Sequence, residues 1–101
     1  MTRDEFIILF QSCKIMVHIH NQIEKTSVLD FLRASIFKFS KYDLTFDPDY
    51  QYVGMDTYRK DICCWRSCIT AGADSIEYDE FCSIIYGQED LVDGKSILSL
   101  L

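Results

Sequence analysis

Apolar residues recur at helical spacing along much of this chain. Near its start, one stripe has members four, seven and eleven positions after the first: Phe6, Phe10, Cys13 and Val17. Because residues at that spacing share one face of an α-helix, we predict a buried helix over residues 3–19. His18 and His20 then follow at its C-terminal end, where the helix dipole favours a positive charge, and we assign them a structural or surface role.

Three further helices are predicted in the same way. The second covers residues 26–42 and the third residues 57–70, each with an apolar stripe at offsets of three or four. The fourth runs from about residue 75, and Gly72 and Gly87 are placed to end the third and fourth helices.

Residues 43–54 form the main irregular stretch. Pro48 disfavours regular structure around it, although the sequence YQYV that follows favours a short β segment. Asp56 comes next, and its side chain is suited to cap the third helix.

The composition fits one compact domain. The chain has 101 residues, of which 49% are hydrophobic, with one proline and four glycines to interrupt regular structure. We therefore predict an all-α fold, a bundle of four to five helices over residues 1–101, in which residues 88–101 form a weakly patterned tail.

The chain is moderately acidic, with a net charge of −6. Its ten Lys and Arg residues are spread singly or in pairs, whereas binding to a phosphate backbone needs them clustered. This distribution argues against a nucleic-acid partner. It favours another protein that presents a basic or amphipathic segment.

The five cysteines are an odd number, and the first residues, MTRDEF, do not resemble a signal peptide. The apolar runs are short and interrupted by charges, so no membrane span is predicted. These features predict a cytoplasmic protein with buried thiols. Because no Cys-x-x-Cys pair accompanies His18 and His20, we predict no metal site and no cofactor.

The segment from Trp65 to Tyr86 has some of the spacing of a calcium-binding loop. Trp65 stands four positions before the loop, Ile76 at its eighth position and Glu80 at its twelfth, with Phe81 directly behind. In this frame the segment resembles a degenerate EF-hand. The resemblance implies helix–loop–helix units like those of the calmodulin and myosin light-chain group.

Calcium is not expected to bind in that loop. Ile69, Ala71 and Ala73 occupy its first, third and fifth positions, and none has a side-chain oxygen. The acidic stretch between Asp43 and Asp49 has better ligands but no glutamate at the twelfth position, so we interpret it as a solvated turn.

No catalytic pattern is recognisable, because the chain has no Gly-rich phosphate loop and no HExxH motif. We therefore predict a non-enzymatic protein-interaction module. The EF-hand resemblance implies a light-chain-like groove that binds an amphipathic basic helix without calcium switching. The candidate groove residues are Phe6, Phe10, Phe81 and Ile85.

The alternative is a small acidic inhibitor or immunity-type protein, of the kind that viruses and phages encode. Such a protein masks a basic surface of a larger enzyme with its carboxylates. The candidate carboxylates are Asp43, Asp47, Asp49, Glu77, Asp79 and Glu80.

Overall fold

The computed structural model describes residues 1–35 and 45–87. Within these residues, three helices and four strands follow one another along the chain: α1 (Arg3–Gln11), β1 (Ile15–His18), α2 (Gln22–Ser35), β2 (Tyr52–Asp56), β3 (Asp61–Trp65), β4 (Asp74–Glu77) and α3 (Tyr78–Cys82). A wider, π-helical turn over Ser83–Gly87 continues α3. The fold is therefore α/β, and the prediction of an all-α bundle is wrong.

The strands form one mixed sheet in the order β3–β2–β1–β4. β1 is antiparallel to β2 and parallel to β4, and β2 and β3 form an antiparallel hairpin. The register places four residues in one row across the sheet: Trp65, Tyr52, His18 and Glu77. Because side chains alternate between the faces of a sheet, this row lies on one face and the neighbouring residue Val17 faces the other.

Helix α1 ends at Gln11, well before the predicted residue 19. It begins with a capping box, in which Oγ1 of Thr2 accepts a hydrogen bond from the backbone N–H of Glu5 and the Glu5 carboxylate accepts one from that of Thr2. Beyond the helix, Cys13 adopts a φ of 57°, a left-handed conformation that redirects the chain into β1. The apolar residues from 15 onwards therefore belong to a strand, and the long first helix is wrong.

Helix α2 begins four residues before the predicted Thr26. Oδ1 of Asn21 accepts a hydrogen bond of 2.9 Å from the backbone N–H of Glu24, which is the pattern of an N-cap. The helix extends to Ser35, and residues 36–42 of the predicted helix lie outside the described residues.

The predicted third helix is a β-hairpin. Residues 61–65 form β3, which pairs with β2 over the turn 57–60. The apolar stripe predicted for this helix consists of Tyr58, Ile62, Trp65 and Ile69. Its two ends contribute nothing to the core, since Tyr58 is 95% exposed and Ile69 is 83% exposed. The β segment expected near YQYV corresponds to the start of β2, at Tyr52 and Val53.

The segment compared with an EF-hand has no incoming helix. Trp65 ends β3, a turn with Gly72 at a φ of 71° follows, and β4 occupies residues 74–77 before α3 starts. A strand therefore stands where the resemblance implies a calcium loop. Only the short helix after it agrees with the predicted fourth helix.

One core joins the three helices to the face of the sheet that carries Val17. Its fully buried members come from nearly every element: Phe6, Phe10, Val17, Ile19, Val28, Leu32, Val53, Ile62 and Phe81. Lys25 is also buried, at 2% exposure, and its Nζ donates a hydrogen bond of 2.6 Å to the carbonyl oxygen of Thr45. A buried ammonium group requires such an acceptor, so this bond fixes α2 against the chain at residue 45.

No helix in the described parts of the chain is long and apolar enough to cross a membrane. The tail predicted over residues 88–101 lies outside those parts.

Candidate functional site

The four predicted groove residues lie in the core. Phe6, Phe10 and Phe81 are 0% exposed and Ile85 is 1% exposed. The ring centroid of Phe6 lies 5.7 Å from that of Phe10 and 5.6 Å from that of Phe81, so the three rings pack on one another. A partner helix has no access to these side chains in this conformation.

The predicted carboxylates at residues 47 and 49 lie in an exposed turn. The backbone N–H of Asp49 donates a hydrogen bond of 2.9 Å to Oδ1 of Asp47, and that of Tyr50 donates one to the carbonyl oxygen of Asp47. Arg66 lies over the Tyr50 ring, its guanidinium carbon 5.0 Å from the centroid. Asp43, the remaining carboxylate of this stretch, lies outside the described residues.

The other predicted carboxylates lie together at one edge of the described sheet. β4 is the outer strand beside β1 in the described sheet and carries the predicted Glu77, which is exposed. Asp74, which was not among the predicted carboxylates, begins the same strand and is also exposed. Asp79 and Glu80 follow in the first turn of α3 and are also exposed. No Lys or Arg occurs between residues 74 and 87. We call the set Asp74, Glu77, Asp79 and Glu80 the acidic edge.

Two histidines for which only a structural or surface role was predicted meet the acidic edge. His18 ends β1 and is paired in register with Glu77, which ends the parallel strand β4. His20 lies two residues further along the chain, and the centroids of the two imidazole rings are 4.4 Å apart. The ring of His18 also stacks on that of Tyr52, with centroids 4.7 Å apart and planes 14° from parallel.

Both oxygens of the Glu77 carboxylate contact an imidazole nitrogen. Oε2 lies 2.9 Å from Nδ1 of His18, and Oε1 lies 3.3 Å from Nε2 of His20. The other ring nitrogens have partners of their own. Nε2 of His18 lies 3.2 Å from Oε1 of Gln51, and Nδ1 of His20 lies 2.9 Å from Oε1 of Glu24. We call His18, His20 and Glu77 the His–Glu cluster.

The surroundings of His18 favour its positively charged form. Partial burial is the largest single influence and lowers its pKa, but the hydrogen bonds with Glu77 and Gln51 and the negative charges of Glu77 and Glu24 outweigh that effect. The net result is a pKa raised above the ordinary value for histidine. In the metal-free protein, both ring nitrogens of His18 therefore have an oxygen to which they donate.

The His–Glu cluster can bind a proton or a metal ion. Imidazole nitrogen and carboxylate oxygen are both zinc ligands, and one donor atom from each of the three residues lies within 4.8 Å of the others. No metal site was predicted from the sequence, because no Cys-x-x-Cys pair accompanies the two histidines and the apolar stripe placed them at the end of a helix. A histidine pair two positions apart after an apolar run is the signal that points to a strand end, where both rings face the same side.

No family model matches the chain, and no curated protein or solved structure matches it.

Proposed function

We propose that this chain is a protein-interaction module that binds a basic surface of another protein through the acidic edge. The observation that supports this proposal is the exposure of four carboxylates within residues 74–80, in a stretch of the sequence, residues 74–87, that has no Lys or Arg. Of the two binding modes that the sequence suggests, the charged one keeps its residues at the surface. The light-chain-like groove does not, since Phe6 and Phe81 are fully buried.

The position of the carboxylates also suits this role. Clustered charges of one sign accelerate the encounter with an oppositely charged surface, and a sheet edge presents them on a rigid support. Charged residues on an edge strand have a second effect, because they discourage edge-to-edge pairing between copies of a protein. Protection from aggregation is therefore the competing explanation, and it requires no partner.

The experiment compares two variants that lose the same charge. Asp79→Asn/Glu80→Gln removes two carboxylates of the acidic edge, while Asp4→Asn/Asp30→Asn removes two exposed carboxylates of α1 and α2. Proteins captured from the native source by the wild-type chain are identified, and their binding to all three proteins is measured between low and physiological salt. A third variant, Asp47→Asn/Asp49→Asn, tests the exposed turn in the same way.

We expect a basic partner whose affinity falls with salt and falls by up to roughly 30-fold in Asp79→Asn/Glu80→Gln, since exposed charge pairs contribute about 1 kcal/mol or less each and two are lost. The control variant Asp4→Asn/Asp30→Asn is expected to bind like the wild type. The proposal is rejected if both double variants weaken binding equally, which would indicate a net-charge effect. It is also rejected if the captured partner is acidic or binds independently of salt.

A further inference from the structure

The His–Glu cluster has the donor atoms of a metal site, and two rigid elements hold them together. His18 and Glu77 are paired residues of the parallel strands β1 and β4, so the backbone fixes the distance between them. His20 follows β1 directly, before the first turn of α2. Residues that are 59 positions apart in the sequence thus converge on one point at the end of the sheet.

Two distances within the cluster are close to those that a metal ion requires, and one donor atom from each residue lies within 4.8 Å of the others. A tetrahedral zinc ion has bonds of about 2.0–2.2 Å, which places its ligand atoms roughly 3.3 Å apart. Nε2 of His20 is 3.3 Å from Oε1 of Glu77, and Nδ1 of His18 is 2.9 Å from Oε2. Small rotations of these side chains are therefore enough to place an ion between them.

The outer contacts of the two imidazoles are those of metal-binding histidines. A ligating histidine donates its second N–H to a carboxylate or amide oxygen, which fixes the ring and the tautomer. Gln51 has this position for Nε2 of His18, and Glu24 has it for Nδ1 of His20. In both rings, the nitrogen that remains faces Glu77.

Solvent access distinguishes this cluster from an internal ion pair. The side chain of His18 is 20% exposed, that of His20 49% and that of Glu77 61%. An ion can therefore enter from solvent without unfolding the protein. Three protein ligands leave at least one coordination position for water, as in zinc sites formed by two histidines and a glutamate.

We propose that Nδ1 of His18, Nε2 of His20 and the carboxylate of Glu77 bind one divalent transition-metal ion, for which zinc is the best match. Calcium and magnesium are poor candidates, because two of the three donors are imidazole nitrogens and these ions prefer oxygen. The ion would join the ends of β1 and β4. This inference is independent of the proposed partner, although Glu77 belongs to both features.

The test is calorimetric titration of the purified full-length chain with zinc chloride, in a non-chelating buffer with a phosphine reductant. We expect one ion per chain. His20→Ala and Glu77→Gln should each weaken binding at least tenfold. Glu24→Ala, which removes the acceptor shared by the ring Nδ1 and the backbone N–H of His20, should weaken it by roughly 10–100-fold. Asp30→Asn is the control and should bind like the wild type. Circular dichroism establishes that each variant remains folded.

Cobalt substitution separates this site from the five cysteines of the chain. Cobalt bound by imidazole and carboxylate gives weak visible bands, whereas thiolate ligation adds intense near-ultraviolet charge-transfer absorption. We expect the visible bands alone, lost in His20→Ala. Intense thiolate absorption, or equal zinc affinity in all variants, would assign the ion to another site and overturn the proposal. A chain that binds no zinc would overturn it as well and leave the cluster as a hydrogen-bonded group.

Discussion

Substitution of Gly54 by alanine tests how closely β1 and β2 pack on the face of the sheet that carries His18. A Cβ atom at position 54 would lie 2.7 Å from Cγ of Met16 and 3.1 Å from its Sδ. Met16 is 0% exposed, so its side chain cannot relieve the contact by moving out into solvent. The contact at Cγ is near the backbone of Met16 and cannot be relieved by rotation of the terminal methyl group alone.

The expected loss of stability is the difference between two opposing effects. Overpacking of a well-packed site costs about 1–3 kcal/mol. Gly54 is not in the left-handed region, so alanine is compatible with its backbone and stabilises by about 0.4–1 kcal/mol through the unfolded chain. The net loss is on the order of 1–2 kcal/mol, which corresponds to a decrease in Tm of roughly 4–16 °C for a chain of this size.

Urea denaturation followed by circular dichroism measures this loss, and a double-mutant cycle assigns its cause. Met16→Ala alone is expected to cost about 2–5 kcal/mol. Because it removes Cγ, Sδ and Cε, Gly54→Ala in that background should cost less than about 0.5 kcal/mol or become stabilising. Gly87→Ala is the matched control, since the nearest heavy atom to its added Cβ is 3.9 Å away. Equal losses from Gly54→Ala with and without Met16 would refute the steric explanation.

Three further predictions concern the caps, the turn and the core. Thr2→Ala should cost about 1 kcal/mol of stability, because it removes the helix cap. The backbone and hydroxyl of Thr2 lower the pKa of Glu5, so the Glu5 carboxylate contributes stability above pH 4.5 that is lost as the pH falls through the lowered pKa. In urea titrations at acid pH, Glu5→Gln should therefore approach the stability of the wild type. Asp56→Ala should cost about 1 kcal/mol in urea, whereas Asp56→Asn keeps the acceptor for the backbone N–H of Tyr58 and should cost less; equal losses would contradict the turn contacts. Phe81→Ala should cost about 3–5 kcal/mol as a core residue, and a loss within about 0.5 kcal/mol would instead favour a surface groove.

Local signals predicted the helices only in part. The stripe of Phe6 and Phe10 is real, and both side chains are buried in α1. The stripe continued to Val17 only by coincidence, because a strand buried on both faces is apolar at every position and therefore satisfies any spacing. The left-handed conformation of Cys13, which ends the helical path, has no sequence signal in a residue other than glycine or asparagine.

The hairpin between β2 and β3 shows why a cap signal is ambiguous. Oδ1 of Asp56 accepts hydrogen bonds from the backbone N–H groups of Tyr58 and Arg59, as the N-cap of a helix does. The chain then reverses at Lys60, which has a φ of 59°, and pairs back onto β2. The first turn of a helix and an Asx-type turn use the same local bonds, so the outcome is decided by the strand pairing that follows.

The candidate site depends on contacts that sequence spacing does not contain. His18 and His20 are visible as a pair, but Glu77 joins them only because β4 is parallel to β1 and in register with it. Gln51 is positioned by the antiparallel strand β2 on the other side of β1. Glu77, Asp79 and Glu80 of the acidic edge were identified from the sequence, whereas Asp74 was not, and the position of Glu77 on an outer strand of the described sheet follows from the topology.

The two proposals make opposite demands on the charge of Glu77. A partner with a basic surface is attracted by this carboxylate together with Asp79 and Glu80, whereas a bound divalent ion would place two positive charges beside them. Between a divalent ion and a unit positive charge about 8 Å away in water the repulsion is on the order of 1 kcal/mol, before screening by salt. If both proposals hold, zinc should therefore weaken partner binding by a few fold, and the partner should weaken zinc binding by the same factor, because the coupling between two sites is reciprocal. Zinc that strengthened partner binding would contradict the charge argument and indicate that the partner itself supplies a ligand to the ion.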